Sequence, residues 1–151
     1  MSSVYDCCIH HLPKVENPAG NLTALENSDT IPFEVKRVYY LYDVPGGQER
    51  GAHAHRELEQ FMVAVSGAFE VLVNDGRNEK VIRLDRPAVG LHIVPGIWRK
   101  LLNFSSGAIC LVLASRKYDE SDYIRHYTSF KHWRRNRSYK YKSENKGPEK
   151  P

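Results

Sequence analysis

Cysteine is scarce in this chain, and what there is does not form pairs. Cys7, Cys8 and Cys110 are an odd set with one vicinal couple, which suits a reducing compartment better than a disulfide framework. No apolar run approaches the roughly 20 residues that a membrane-spanning helix needs. The first residues lack the basic start and apolar segment of a secretory leader. These absences lead us to expect a cytoplasmic protein with no membrane partner. Sustained apolar heptads and solenoid-type repeats are missing too, which argues against a coiled coil or a repeat array. No helix-turn-helix pattern appears, so a transcription factor is disfavoured.

What is present reads as one domain. At 151 residues, 41% hydrophobic and 26% charged, the chain can bury a sizeable core and falls among globular rather than disordered sequences. Its net charge of +4 is unevenly spread, with much of the excess after Phe130, in Lys131, Arg134, Arg135, Arg137 and a lysine-rich end. A basic tail can bind nucleic acid or acidic membrane. Such composition more often marks a solvated terminus, and no nucleic-acid partner is expected. We therefore expect a domain over residues 1–135 and a basic, disordered tail over 136–151.

Between Ile31 and Ser115 the sequence alternates short β-rich runs with turns. Runs at 35–42, 61–65, 68–73, 81–84, 91–94, 101–104 and 109–114 carry β-branched and aromatic residues. The breaks hold Pro45-Gly46-Gly47, Ser66-Gly67, Asn74-Asp75-Gly76, Pro95-Gly96 and Ser105-Ser106-Gly107, residues that turn chains for known stereochemical reasons. Seven or more such strands predict a sandwich or small barrel. Residues 21–24 are a further candidate strand. A helix is expected over 119–133, where Tyr123, Ile124, Tyr127 and Phe130 recur at helical spacing.

The chemistry concentrates around His53-Ala54-His55. Two residues apart on a strand, the imidazoles point the same way and converge on one site. There they can ligate a metal or carry protons. A lone pair of this kind also occurs as two half-exposed strand histidines, but flanking glycines and a second matching segment favour a functional site. Tyr39 shares a strand face with Arg37 and Leu41, and Arg50 lies three residues before His53. A guanidinium there can hold phosphate or stabilise an enolate oxygen.

Gly47, His53, His55 and Gly67, with Gly90, Pro95, Gly96, Arg99 and Asn103, resemble the paired signatures of the cupin superfamily. The initial spacing of the second signature is short by a single residue. That resemblance implies an all-β fold, a cupin jelly-roll barrel with a short C-terminal helix. Metal-dependent cupins use both histidines, a glutamate and a last histidine. Here the glutamate position is Gln60 and the last histidine is Arg99. A neutral amide is a poor ligand for a hard cation and a guanidinium offers no lone pair. Glu59 would reach the site only through a bulge, since strand alternation turns it away. A site without metal or other cofactor is expected, with His53 and His55 serving as acid–base groups.

Within that superfamily the chain resembles the nucleotide-sugar 3,4-ketoisomerases acting on dTDP-4-keto-6-deoxy-D-glucose. The shared phrases run from Ile31 to Asp43, Arg50 to His55, Pro87 to His92, Val112 to Ser115 and Tyr118 to Arg125. The resemblance implies His53 as base, with His55, Tyr39 and Arg50 around the hexose. Arg37, Arg99, Gln60 and Lys100 are the expected substrate-binding residues. It also implies a homodimer with exchanged N-terminal strands, working on a dTDP-linked keto-sugar to supply a 3-keto sugar for a 3-amino-3,6-dideoxy sugar. Arginine at Arg99 resembles the branch giving the D-gluco product, whereas Ala19 matches neither branch. A sugar 3,5-epimerase and a non-catalytic sugar-binding cupin remain the competing functions.

Overall fold

The structure, a computed structural model, describes residues 1–144. After a short 3₁₀ turn at Val4–Asp6 come β1 (Cys8–His11), β2 (Arg37–Leu41), β3 (Arg50–His55), β4 (Gln60–Ser66), β5 (Phe69–Asn74), β6 (Glu79–Leu84), β7 (Val89–Ile93), β8 (Trp98–Leu102) and β9 (Ile109–Ala114). A second 3₁₀ turn (Glu120–Asp122), β10 (Tyr123–Ile124) and α1 (Tyr127–Glu144) complete the described chain. Among the described residues the strands form two antiparallel five-stranded sheets, ordered β1-β7-β4-β9-β2 and β10-β3-β8-β5-β6. This is the jelly-roll architecture the sequence implied.

Period-two burial explains how the sheets face each other. Along β5 the buried residues are Phe69, Val71 and Val73, and they meet Met62, Leu91, Leu101 and Val112 between the sheets. Burial of apolar side chains from both inner faces supplies the main stabilising term. The outer face of the first sheet is covered by the chain between β1 and β2, where Leu25, Ile31, Phe33 and Val35 pack on Phe61, Val63 and Leu113. The covering stops short of the edge strand β2, leaving Val38, Tyr40 and Tyr42 exposed. The outer face of the second sheet is covered by α1, through Phe130 and Trp133 on Trp98, Ala54 and Ile124.

Two expectations about the C-terminal segment are corrected. The helix does not span 119–133. Asp119 caps the 3₁₀ turn by accepting from Ser121 N, and Tyr123 and Ile124 pair with His55 and Ala54 on the edge of β3. Sheet hydrogen bonds there outweigh the helical spacing of the aromatics, and the helix begins only at Tyr127. Nor is all of 136–151 a disordered tail, because α1 continues to Glu144. Arg134 fastens the helix to the barrel, donating to Gly96 O at 2.8 Å and Ser2 O at 2.8 Å. The rest of the expected tail, 145–151, lies outside the described residues.

The N-terminal region differs as well. Residues 21–24 form no strand; Leu22 makes only an isolated bridge with Val15. The first strand is β1, four residues pairing with β7 of the same chain. Its Cys-Ile-His-His composition carries little β signal, so its neighbours specify it.

Candidate active site

Four strands of the two sheets bring the site together. Tyr39 and Arg37 come from β2, His53 and His55 from β3, Gln60 from β4 and Arg99 from β8. His53 sits directly opposite Arg99 across the β3–β8 ladder. Gln60, Arg99, His53 and His55 are 1%, 2%, 8% and 4% exposed, so water is largely kept from the floor of the site. Toward solvent lie the half-buried Arg37, Tyr39 and Tyr123, then the exposed Tyr118 and Arg125. The guanidinium of Arg37 lies 4.7 Å from the Tyr39 ring centroid and 5.2 Å from that of Tyr118.

A bulge in β3 makes room for Arg99. Between Arg50 and His53 the β3–β8 register shifts, and Gly51 adopts φ +64°. Glycine takes this left-handed conformation without steric cost. A Cβ at Gly51 would stand 1.9 Å from Nη1 of Arg99. Arg99 Nη1 instead donates to Gly51 O at 2.7 Å, Nε to Gln60 Oε1 at 3.0 Å and Nη2 to Tyr39 OH at 3.2 Å. Gln60 Nε2 also donates to Tyr39 OH, at 2.8 Å. The phenol thus accepts from two N–H groups, which leaves its own proton to be given elsewhere.

This network decides the metal question by its chemistry. The amide oxygen of Gln60 is already taken by Arg99, whose permanent positive charge occupies the last ligand position. A divalent cation does not fit beside it. Glu59 cannot substitute, since it points to the outer face and pairs with His92 Nε2 at 2.9 Å.

His53 Nε2 and His55 Nε2 are 3.1 Å apart, and His55 Nδ1 lies 3.2 Å from Asp122 Oδ2. The Tyr123 ring packs on both imidazoles, with centroids at 4.9 and 4.3 Å. Burial, and then the nearby Arg99, pushes the His53 pKa down to about 2 and that of His55 to about 3. Both are therefore neutral at physiological pH, and each carries one ring nitrogen without a proton.

Not every expected residue joins this network. Lys100 is corrected to the outer face: strand alternation turns it away from Arg99, and it pairs with Glu49 at 3.1 Å. Arg50 is exposed at the start of β3, beside Tyr42, Asp43 and Pro45. It makes no hydrogen bond or ion pair to the site residues described above, and the positive charge expected from it there is supplied by Arg99. Asp122 was missed by sequence reasoning. Buried at 6% exposure, it accepts from the Glu57 and Leu58 backbone N–H groups at 2.8 and 3.2 Å. Its one sequence signal was membership of the phrase Tyr118 to Arg125, within a segment read as helix.

Fold and site define a cupin-like jelly roll whose interior holds a fixed guanidinium, Arg99, beside a buried pair of imidazoles, His53 and His55. Residues 5–135 match the model of the FdtA family, described as WxcM-like, C-terminal. Over 118 residues the chain is 47% identical to the TDP-4-oxo-6-deoxy-alpha-D-glucose-3,4-oxoisomerase of Aneurinibacillus thermoaerophilus, covering 78% of this chain and 85% of that one. A 3,4-ketoisomerase from Helicobacter canadensis superposes with TM-score 0.84 at 48% identity, covering 86% of this chain and 98% of that one. The WlaRB TDP-quinovose 3,4-ketoisomerase from Campylobacter jejuni superposes with TM-score 0.80 at 46% identity, covering 84% and 98%. The chain belongs to this FdtA family of sugar-nucleotide 3,4-ketoisomerases.

Proposed function

We propose that the protein isomerises dTDP-4-keto-6-deoxy-D-glucose, moving the keto group from C4 to C3 without metal or cofactor. The observation that carries this reading is the buried His53–His55 couple, which lies across the β3–β8 ladder from the Arg99–Gln60–Tyr39 network. A C4 ketone acidifies the hydrogen on C3. His53 removes that hydrogen, and the electrons move into a C3=C4 double bond with negative charge on O4. Arg99 stabilises the charge, in a site where low water content strengthens electrostatics. Tyr39, whose hydroxyl proton is free to be given, passes the O3 proton to O4. Proton return to C4 then leaves a hydroxyl there and a ketone at C3, so the product is an isomer of the substrate.

The depressed basicity of the imidazoles fits this cycle. The free enzyme holds them unprotonated, and the enediolate's negative charge compensates the imidazolium that forms on proton abstraction. Arg37, held over two aromatic faces with no carboxylate partner among the described residues, suits the diphosphate of the substrate.

Enediolate formation erases the configuration at C4. Arg99 cannot exchange a proton as an imidazole would, so the proton arrives from the other face and the product is dTDP-3-keto-6-deoxy-D-glucose. The relative named for TDP-quinovose, a 6-deoxyglucose, supports this choice. The ketone at C3 then suits an aminotransferase that makes a 3-amino-3,6-dideoxy sugar. We place the enzyme in the cytoplasm as a homodimer in which β1 is exchanged between protomers. Independently of that exchange, the exposed Val38 and Tyr40 on edge strand β2 and the adjoining Tyr42 offer apolar surface for a dimer contact at the sheet edge opposite β1; light scattering would measure the dimer.

The deciding experiment incubates the protein with the 4-keto substrate and reduces the product for NMR. Large axial couplings at H4 identify the gluco product and small ones the galacto product. An unchanged substrate refutes the isomerase reading.

A further inference from the structure

The chain of contacts from Asp122 through His55 to His53 dictates where each imidazole proton sits. The Asp122 carboxylate receives two backbone N–H groups and faces His55 Nδ1 as an acceptor. His55 Nδ1 must therefore be the protonated nitrogen, as the donor to a carboxylate. In a neutral imidazole the other nitrogen then has no hydrogen, so His55 Nε2 is an acceptor. Its neighbour at 3.1 Å is Nε2 of His53, which has to supply the hydrogen. One carboxylate thus fixes two tautomers in series, and leaves the lone pair of His53 on Nδ1.

That nitrogen is the one open to chemistry. Nδ1 of His53 takes no hydrogen bond from the described residues, and among those residues the buried side-chain polar atom without a partner is Nε of Arg134. His53 Nδ1 is therefore both unpartnered and not sealed from solvent. The rings cannot easily rotate out of this arrangement, since Tyr123 packs on both of them at 4.9 and 4.3 Å. Asp122 is positioned just as firmly. It closes the 3₁₀ turn Glu120–Asp122, its carbonyl accepts from Arg56 N at 2.9 Å, and the next residue pairs with His55 across the β10–β3 ladder.

We propose that Asp122 is a positioning residue that makes Nδ1 of His53 the atom that abstracts the substrate proton. This rests on the isomerase reading for the identity of the substrate, but the tautomers it requires belong to the free protein. When Nδ1 takes the C3 hydrogen, His53 becomes an imidazolium whose Nε2–H is hydrogen-bonded to His55, and His55 Nδ1–H remains bonded to Asp122. The developing positive charge is thereby coupled to a buried carboxylate that the substrate never touches. The gluco product takes its C4 hydrogen on the ring face opposite the lost H3, so that proton comes from water on that face, and His53 returns to neutrality by passing its own proton to solvent through Nδ1.

The test begins with the wild-type protein labelled with ¹⁵N-histidine at neutral pH, His53→Asn and His55→Asn serving to assign the signals. The expected spectrum shows hydrogen on Nδ1 of His55 and on Nε2 of His53. Hydrogen on Nε2 of His55, or on Nδ1 of His53, overturns the proposal whether or not any substrate turns over. The second arm is Asp122→Asn, whose amide can donate to His55 Nδ1 and reverse both tautomers. We expect kcat to fall at least ~100-fold with KM within about threefold, because the residue acts through His55 rather than on substrate. Retention of wild-type kcat by a folded Asp122→Asn protein overturns the proposal, and if that variant does not fold, the wild-type spectrum decides alone. Wild-type protein with the expected tautomers but no action on the 4-keto sugar would sink the isomerase reading instead.

Discussion

Gly51→Ala is a one-methyl perturbation whose effect at the site can be worked out in advance. Gly51 has φ +64°, and the added Cβ would lie 1.9 Å from Arg99 Nη1. A non-glycine residue in the left-handed region costs about 1–2 kcal/mol. The guanidinium must also swing away, losing its 2.7 Å bond to the Gly51 carbonyl, and a hydrogen bond to a charged group is worth about 1.5–3 kcal/mol. The sum is about 3–5 kcal/mol, within the ~5–15 kcal/mol that typical domains possess, so the variant folds. Gly47→Ala is the control, because Gly47 has φ +79° with no atom within 4 Å of an added Cβ. It incurs the backbone strain alone. At roughly 2–4 °C per kcal/mol for chains of this size, Gly51→Ala should melt about 6–20 °C below wild type and Gly47→Ala only a few degrees below. Turnover of the 4-keto sugar should fall about 100-fold in Gly51→Ala, the scale of losing one oxyanion donor, and stay near wild type in Gly47→Ala. Equal melting temperatures and equal turnover in the two variants would refute the role given to the bulge and to Arg99.

Three further outcomes are expected. His53→Asn should fold normally and lose turnover by about 10²–10⁴, the usual contribution of a general base, together with C3 hydrogen exchange in deuterated water; intact exchange removes His53 from that role. Exhaustive chelation should leave activity unchanged, whereas strict dependence restored by one divalent ion would contradict the Gln60–Arg99 chemistry. Acid should destabilise the fold through the histidines. Their folded pKa values are about 2 and about 3, below the ordinary ~6.5 of an unfolded histidine, so the unfolded chain binds more protons below pH ~6.5. Stability is fully present above that pH and declines as pH falls toward 3, by up to about 1.4 kcal/mol per pH unit for each histidine. Urea denaturation at pH 7, 5.5 and 4.5 checks this, and His53→Asn should shallow the slope; identical slopes would contradict the assigned burial effect.

Much of the barrel was legible because its strands alternate. Residues 109–114 match β9, and 68–73 and 91–94 fall within two residues of the observed bounds, 68–73 because its buried positions recur with period two and the others because they are short apolar runs next to turns. Strand β1 was not legible, because Cys8–His11 is specified by pairing with β7 rather than by its own side chains. The aromatics Tyr123 and Tyr127 mimic one helical stripe, although the first lies in a strand and only the second in α1. The structure brings His53, His55, Tyr39, Gln60 and Arg99 together, as motif spacing and strand alternation lead one to expect. Lys100 was misplaced although the same alternation excludes it. Arg50 was misplaced because proximity in sequence along an extended strand is distance in space: three residues span about 10 Å. Asp122 reaches His55 across 67 residues, and no local pattern announces a contact of that kind.

The clasp of Arg134 on Ser2 also bears on how the molecule comes into being. Its two partners stand 132 positions apart, and the ladders β1–β7 and β2–β9 likewise join distant stretches. On a ribosome, β1 must wait for β7 before it can pair, and the Ser2 carbonyl must wait for Arg134, long after Pro95 has become available to its hydroxyl. Folds dominated by such late pairings form slowly and leave early strands unsatisfied meanwhile. Synthesis cut short before Arg134 would release a barrel in which Ser2 keeps its bond to Pro95 O and Val4 its place in the core, but the backbone carbonyl of Ser2 has lost its donor. The helix that lies outside the barrel is thus the last piece to secure its beginning.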